Sequence, residues 1–184
     1  MILATKKDNT IFVGISICDC CINMSNKDLS LKDNLPFWKV KGEKDCYVGT
    51  QKLTFATDLI KYSDNLFKNI LDANSIIENV IPKLKKELAK YNLLTDNNWN
   101  NQLIIIKGNK LFHVSTFLEV TEIENQLVLG YENYIQGAFD GTETLEPTES
   151  ILESVRNLNR MKNLQLFPLT VFNTNTKKLK TYLH

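Results

Sequence analysis

Twice along this chain, runs of short β-branched and aromatic segments give way to amphipathic helical stretches, and the closing segments return to strand character. This repeated switch between a period of two and a period of about 3.6 constrains the fold more than any single motif does. The first block opens with ILAT and TIFVGISI, joined by Lys7-Asp8-Asn9, whose side chains favour a tight turn, so it reads as a β-hairpin. The polar stretch NMSNKDLSLKDNLP, ending at Pro36, reads as a loop or an edge segment. FWKV and CYVGT then resume strand character on either side of KGEKD, a second turn.

In QKLTFATDLIKYSDNLFKNIL the apolar residues Leu53, Phe55, Ala56, Leu59, Ile60, Leu66, Phe67 and Ile70 recur at steps of three and four, which predicts a helix with one buried face. A second amphipathic helix follows, with Ser75 as its N-cap and Ile76, Ile77, Val80, Ile81, Leu84, Leu88 and Tyr91 as its stripe. Pro82 inside that stripe calls for either a kink or a later start. Beyond the polar connection TDNNWNN, the segments LIIIKG, LFHVST, FLEVTEI and QLVLGY are short strands, with a tight reversal at GNK. NYIQGAF predicts a short helix ended at Asp140-Gly141, with Gly141 as a left-handed stop. Pro147 opens a longer helix, in which Ile151, Leu152, Val155, Leu158 and Met161 form the stripe and Arg156 and Arg160 lie late, matching the helix dipole. QLFPLTVFNT and KKLKTYL close the chain as strands, and Pro168 confines the former to an edge, a bulge or a strand start.

At 184 residues the chain is long enough for one continuous core, and a single domain spanning 1–184 is expected. Hydrophobic residues at 43% against 23% charged give the balance of a soluble globular protein. A net charge of +1 supplies no field for nucleic acid or anionic lipid, so neither is expected as a partner. No apolar run approaches the ~20 residues of a membrane span, and the start lacks a secretory pattern, so the expected compartment is the cytoplasm. Cysteines are then expected to stay reduced. The cluster formed by Cys18, Cys20 and Cys21 has only Cys46 as a distant partner, and His113 and His184 lie far along the chain. Buried or half-buried free thiols and a structural or redox site are the two readings, and no metal or cofactor is expected.

Two blocks of antiparallel strands, each followed by a helical pair, suit an α+β fold, a four-layer αββα sandwich with helices outside two sheets. Several stretches in register with that order resemble the proteasome-type branch of the N-terminal nucleophile (Ntn) hydrolases, which includes proteasome β-subunits and the peptidase subunit of a bacterial two-component protease. MILATKKDNTIFVGISI resembles that family's first strand pair, CYVGTQ the strand whose glycine leads into the first helix, and LVLGYENYIQGAF the turn entering the third helix. The resemblance covers nearly the whole chain.

The resemblance implies a definite chemistry. In that family an N-terminal threonine uses its own α-amino group to assist its hydroxyl, a lysine lowers the relevant pKa values, and an aspartate orients the lysine. Aligning the hairpin turns puts Met1 at about the family's second residue, and Met1 is expected to be retained because Ile2 is not small. Processing before Thr5 or Thr10 would cut away most or all of the first strand. Ser16 falls where the family has its aspartate, and Pro36 or Phe37 where it has its lysine. Lys39 could regain the lysine's place by a slipped alignment, yet a shift of two residues moves an amine by ~7 Å. Gly130-Tyr131-Glu132 stands for the family's glycine-serine-glycine turn, and NRMKNLQLFPL lacks its late aspartate and small loop.

These departures imply a non-catalytic proteasome-like protein acting as an oligomeric structural or binding component, in which Ser16, Phe37 and Tyr131 fill the former site and Cys18, Lys39 and Gly49 line a possible groove. The alternative is an active Ntn-type peptidase or amidohydrolase with a processed or internal nucleophile, Ser16 or Cys18 first. A homo-oligomer, as a ring or a dimer, and a peptide or protein partner are what the resemblance implies.

Overall fold

The computed structural model describes residues 1–16, 35–63, 65–142 and 144–183, with the backbone alone for 132–134. Cys18, Cys20, Cys21, His184 and most of the polar stretch before Pro36 lie outside the described residues. The strands are β1 (Ile2–Lys7), β2 (Thr10–Ser16), β3 (Phe37–Lys39), β4 (Cys46–Thr50), β5 (Leu103–Lys107), β6 (Lys110–Val114), β7 (Val120–Ile123), β8 (Gln126–Leu129), β9 (Leu169–Asn173) and β10 (Lys178–Tyr182). The helices are α1 (Phe55–Lys61), α2 (Ala73–Ser75), α3 (Ile81–Lys90), α4 (Glu132–Asp140) and α5 (Pro147–Lys162), with a π-helical turn at Ile76–Val80 joining α2 to α3. The chain divides into two compact units, one of Met1–Leu35 and Glu124–His184, the other of Pro36–Ile123.

The first unit holds a five-stranded sheet in the order β10-β9-β2-β1-β8, antiparallel throughout. The hairpin turns at Asp8-Asn9, with Asp8 at a φ of 55°, so Lys7 faces Thr10 and Ile2 faces Ile15. Ile2, Leu3 and Ala4 are wholly buried, and β1 is an interior strand between β2 and β8. The expected stripe of α5 packs Ile151, Leu152, Val155 and Leu158 into a core with Leu3, Val128 and Leu169, while Met161 lies outside it, 66% exposed. Between α4 and α5, the Thr142 hydroxyl lies 2.8 Å from the Phe139 carbonyl and 2.6 Å from the Ser150 hydroxyl, which satisfies buried polar groups where one helix ends and the next begins. Gly141 has an ordinary φ of −70°, not the left-handed stop expected of it; the Thr142 bonds close that helix instead. Phe167-Pro168 is a cis peptide directly before β9, consistent with the strand start expected there.

The second unit holds the sheet β3-β4-β5-β6-β7, again antiparallel. Val48, Leu103, Ile105 and Phe112 pack with Ile60, Val80, Leu84 and Leu88 from the helices. The helix predicted across QKLTFATDLIKYSDNLFKNIL is shorter than expected, for α1 ends at Lys61, and Leu66, Phe67 and Ile70 reach the core from turns. Ser63 and Asn65, with short polar side chains that compete for backbone groups, favour that interruption. Phe55, expected in the buried face, is 60% exposed. The next helical run is capped by Asp72, not Ser75: the Asp72 carboxylate accepts the Ser75 N–H at 2.8 Å and the Ser75 hydroxyl accepts the Asp72 N–H at 3.0 Å, a reciprocal capping box. Pro82 follows directly on the π-helical turn, where the altered bonding pattern tolerates its missing N–H.

Glu43, in the β3–β4 turn, joins three parts of this unit. One carboxylate oxygen lies 2.6 Å from the Lys107 ammonium on β5, and the other accepts the Asn69 N–H at 3.1 Å. The side chains of Lys107 and Glu43 are only 22% and 15% exposed, so the pair is better shielded than an ordinary surface bridge. The Lys107 hydrogen bond, followed by that of Asn69, holds the Glu43 carboxyl below its ordinary range.

Two outcomes follow from this packing. A Cβ on Gly14 would run into Cγ2 of Ile151, a branch fixed next to its own backbone, so Gly14→Ala is expected to destabilise the chain by about 1–3 kcal/mol. Urea unfolding checks it, and the cost should shrink in an Ile151→Ala background; equal costs in both would break the link. Because Glu43 is more acidic folded than unfolded, its contribution is present above its unfolded pKa and is lost as pH falls through the folded value. Glu43→Gln should therefore flatten the acid limb of Tm against pH, and an unchanged limb would count against the bridge.

Candidate functional site

The first unit brings Met1 and Ser16 together. The hairpin register, counted back from the Asp8-Asn9 turn, places them as the last opposed pair: the Ser16 N–H donates to the Met1 carbonyl at 3.1 Å, and the Met1 α-amino group donates to the Ser16 carbonyl at 3.1 Å. Met1 is buried among Leu3, Ile135 and Leu166. Ser16 is 1% exposed, and its hydroxyl donates to the Leu166 carbonyl at 2.6 Å, tying the end of β2 to the segment that enters β9. On the other side of β1, Ile2 faces Leu129, and the chain then turns through Gly130 and Tyr131, with φ of 88° and 62°. Two successive left-handed residues reverse the chain into α4, and Tyr131 is its N-cap, its carbonyl accepting the Ile135 N–H at 3.1 Å. Tyr131 is 38% exposed, so it is not the core-filling residue expected beside Ser16 and Phe37.

The second unit brings Phe37 against Gly49. They are directly opposed across β3 and β4, and the Thr50 N–H donates to the Pro36 carbonyl at 2.8 Å just beyond them. With no side chain at Gly49, the Phe37 ring lies over Tyr47, centroids 5.9 Å apart and planes within 2°. Phe37 is buried; Lys39, two residues along the same face, faces Tyr47 and is exposed. Cys18, the remaining predicted groove residue, lies outside the described residues.

A buried polar cluster directly after Gly49 escaped sequence reasoning. The Thr57 hydroxyl donates to the Lys52 carbonyl at 2.6 Å and lies 3.2 Å from the Thr50 hydroxyl, while Asn101 exchanges two bonds with the Lys52 backbone at 3.0 and 3.1 Å. It fixes the passage from β4 into α1. Threonine and asparagine in a polar stretch carry no periodic signal, so nothing in the sequence set them apart.

Chemically, these positions offer little that can abstract a proton. A serine becomes a nucleophile when a base accepts its proton, and the Leu166 carbonyl that receives the Ser16 bond is not such a base. The Cys46 thiol is buried, and desolvation raises its pKa to about 11, keeping it protonated and unreactive near neutrality. Among the described residues no group of histidine, cysteine and carboxylate side chains could hold a metal ion, and no helix is long and apolar enough to cross a membrane.

No family model matches the chain, and no curated protein matches it in sequence. Solved structures do match. A Thiobacillus denitrificans protein called BPH aligns with a TM-score of 0.70 at 16% identity, over 94% of this chain and 96% of that one. A eukaryotic HslV from Trypanosoma brucei aligns with a TM-score of 0.58 at 14% identity, over 94% and 97%. Anbu, an ancestral β-subunit from Yersinia bercovieri, aligns with a TM-score of 0.69 at 13% identity, over 100% and 87%. At such identities the likeness shows the fold, which is that of the proteasome-type Ntn hydrolases.

Ser16→Ala, which leaves the Leu166 carbonyl without its partner, is expected to cost about 1–3 kcal/mol in urea unfolding. Ser16→Asp should cost more, since a buried carboxylate there would face a carbonyl with no proton to share. An aspartate variant as stable as the parent would show that the position accepts the charge.

Proposed function

We propose that this chain is a non-catalytic protein of proteasome-like fold, working as a structural or binding component of a homo-oligomer. The observation that carries the reading is the Ser16 hydroxyl: where the family resemblance puts an aspartate, a buried neutral group is committed to the Leu166 carbonyl. Pro36 and Phe37, the two positions where the resemblance puts the family's lysine, carry no ammonium, and the Phe37 ring is stacked on Tyr47, which supports it. Neither the hydroxyl nor the ring can tune a nucleophile's pKa as a carboxylate or an ammonium would. The reading takes both units as one domain over 1–184, keeps the four-layer stacking and the cytoplasmic location expected from the sequence, and leaves room for a peptide or protein partner.

Self-assembly draws support from a structural neighbour, since an Anbu from Pseudomonas aeruginosa is described as a helical assembly. The competing reading, a hydrolase with a processed or internal nucleophile, draws on another, for the Thiobacillus BPH has been captured in complex with epoxomicin.

Intact and native mass spectrometry separate the two. Incubated with epoxomicin, the chain is expected to keep its unmodified mass, and its native mass is expected to be a multiple of 21.1 kDa. A covalent adduct, or a mature chain starting at threonine or cysteine, would overturn the non-catalytic reading. A strict monomer would remove the oligomer while leaving the chemistry untouched.

A further inference from the structure

The segment between α3 and β5 builds a feature that the proposed function does not use. Asn92, Asp96, Asn97 and Asn100 all take left-handed backbone conformations, with φ between 49° and 61°. Asn and Asp tolerate that region better than other side chains, so a run rich in them can fold back on itself within nine residues. Thr95 and Asn98 exchange backbone bonds at 2.8 and 2.7 Å, closing the tightest part of the loop. The result is an open cup of about 390 Å³, at the low end of the ~300–1,000 Å³ found for small-molecule sites.

Its parts are held in place from behind. Trp99 is 4% exposed and anchored by its ring N–H to the Ser115 carbonyl at 3.2 Å, while its backbone N–H donates to the Thr116 carbonyl at 3.1 Å. The Ser115 hydroxyl accepts the Phe117 N–H at 3.2 Å, which fixes the backbone under a phenyl ring left 56% exposed at the rim. The Asn98 side-chain oxygen accepts the Asn100 N–H at 2.7 Å, and the Asn100 side-chain oxygen accepts from the Lys52 ammonium at 3.0 Å. With both oxygens occupied, the NH2 end of each amide is the part left over, and among the described residues neither has a protein partner.

We propose that this cup binds a neutral saccharide. A sugar ring has an apolar face of C–H groups that packs on an aromatic ring, and an edge of hydroxyls, each both donor and acceptor. The cup supplies both kinds of partner at once: Phe117 as the platform, the Asn98 and Asn100 NH2 groups as donors, the Asp96 carboxylate as acceptor, and Thr95 as either. Because hydrogen bonds already fix the two amides, little order has to be imposed on them on binding. A peptide, with one donor and one acceptor per residue along its backbone, would leave more of this dense polar rim unmatched.

The site lies wholly within the second unit and does not depend on whether the fold carries out hydrolysis. Titration of the intact chain with maltose, cellobiose and N,N′-diacetylchitobiose, followed by the side-chain amide NMR resonances of Asn98 and Asn100, tests it. At least one of the three is expected to shift both resonances saturably. Phe117→Ala, which removes a largely exposed ring, should weaken that binding at least about tenfold with no change in Tm. Tyr62→Ala, at an exposed aromatic outside the cup, should leave it unchanged. Absence of any shift, a Phe117→Ala variant that binds like the parent, or binding of trialanine in place of all three sugars would overturn the assignment.

Discussion

The first unit depends on β1 being an interior strand. A strand with neighbours on both edges has its backbone donors and acceptors drawn into two ladders. Ile2, Leu3 and Ala4 meet that condition completely, with β2 on one side and β8 on the other. Met1 inherits its position from this arrangement: the mutual bonds with Ser16 continue the hairpin ladder by one step. The close approach of α5 follows from the same sheet, because Gly14 on β2 has no Cβ to hold Ile151 away. An apolar strand pair and one missing side chain thus determine where the helix that covers them can lie.

Much of this was legible because strands and hairpins write themselves locally. The hairpin was legible, but the turn read at Lys7-Asp8-Asn9 closes on Asp8-Asn9 alone, with Lys7 paired to Thr10, and it is this register that opposes Met1 to Ser16. The opposition of Phe37 and Gly49 was less accessible, since a five-residue turn leaves the pairing of β3 with β4 open until the ladder itself is seen. Helices were read less well, and for a physical reason. Steps of three and four show which residues share a face, but not where the face stops being covered. Phe55, Ile77 and Tyr91 have the right spacing and remain exposed, at 60%, 48% and 42%. Capping was misread at Ser75 because Asp72 and Ser75 are two halves of one box, and either could be nominated when seen alone.

The site divides in the same manner. Positions set by strand register could be placed from the sequence; what each side chain does there could not. Ser16 was read as a neutral residue where the resemblance implies a charged one; its bond to Leu166, 150 residues away, depends on β9 lying beside β2. Tyr131 was expected to fill space, and its left-handed backbone turns it outward into a half-exposed N-cap. Thr50, Thr57 and Asn101 carried no signal because buried polar side chains look like any others until their partners are known.

The contrast between Ser16 and the Gly130-Tyr131 turn separates two kinds of constraint. A tyrosine in the left-handed region costs about 1–2 kcal/mol, and the fold keeps that conformation because β8 must leave its ladder and enter α4 within two residues. Topology therefore dictates the backbone at Tyr131 whatever its side chain does. At Ser16 the reverse holds: the strand would form with any small residue, and it is the hydroxyl that satisfies a buried carbonyl. An ionised carboxylate at that point would need a cation close by to offset its desolvation, and the Leu166 carbonyl that the hydroxyl meets supplies none.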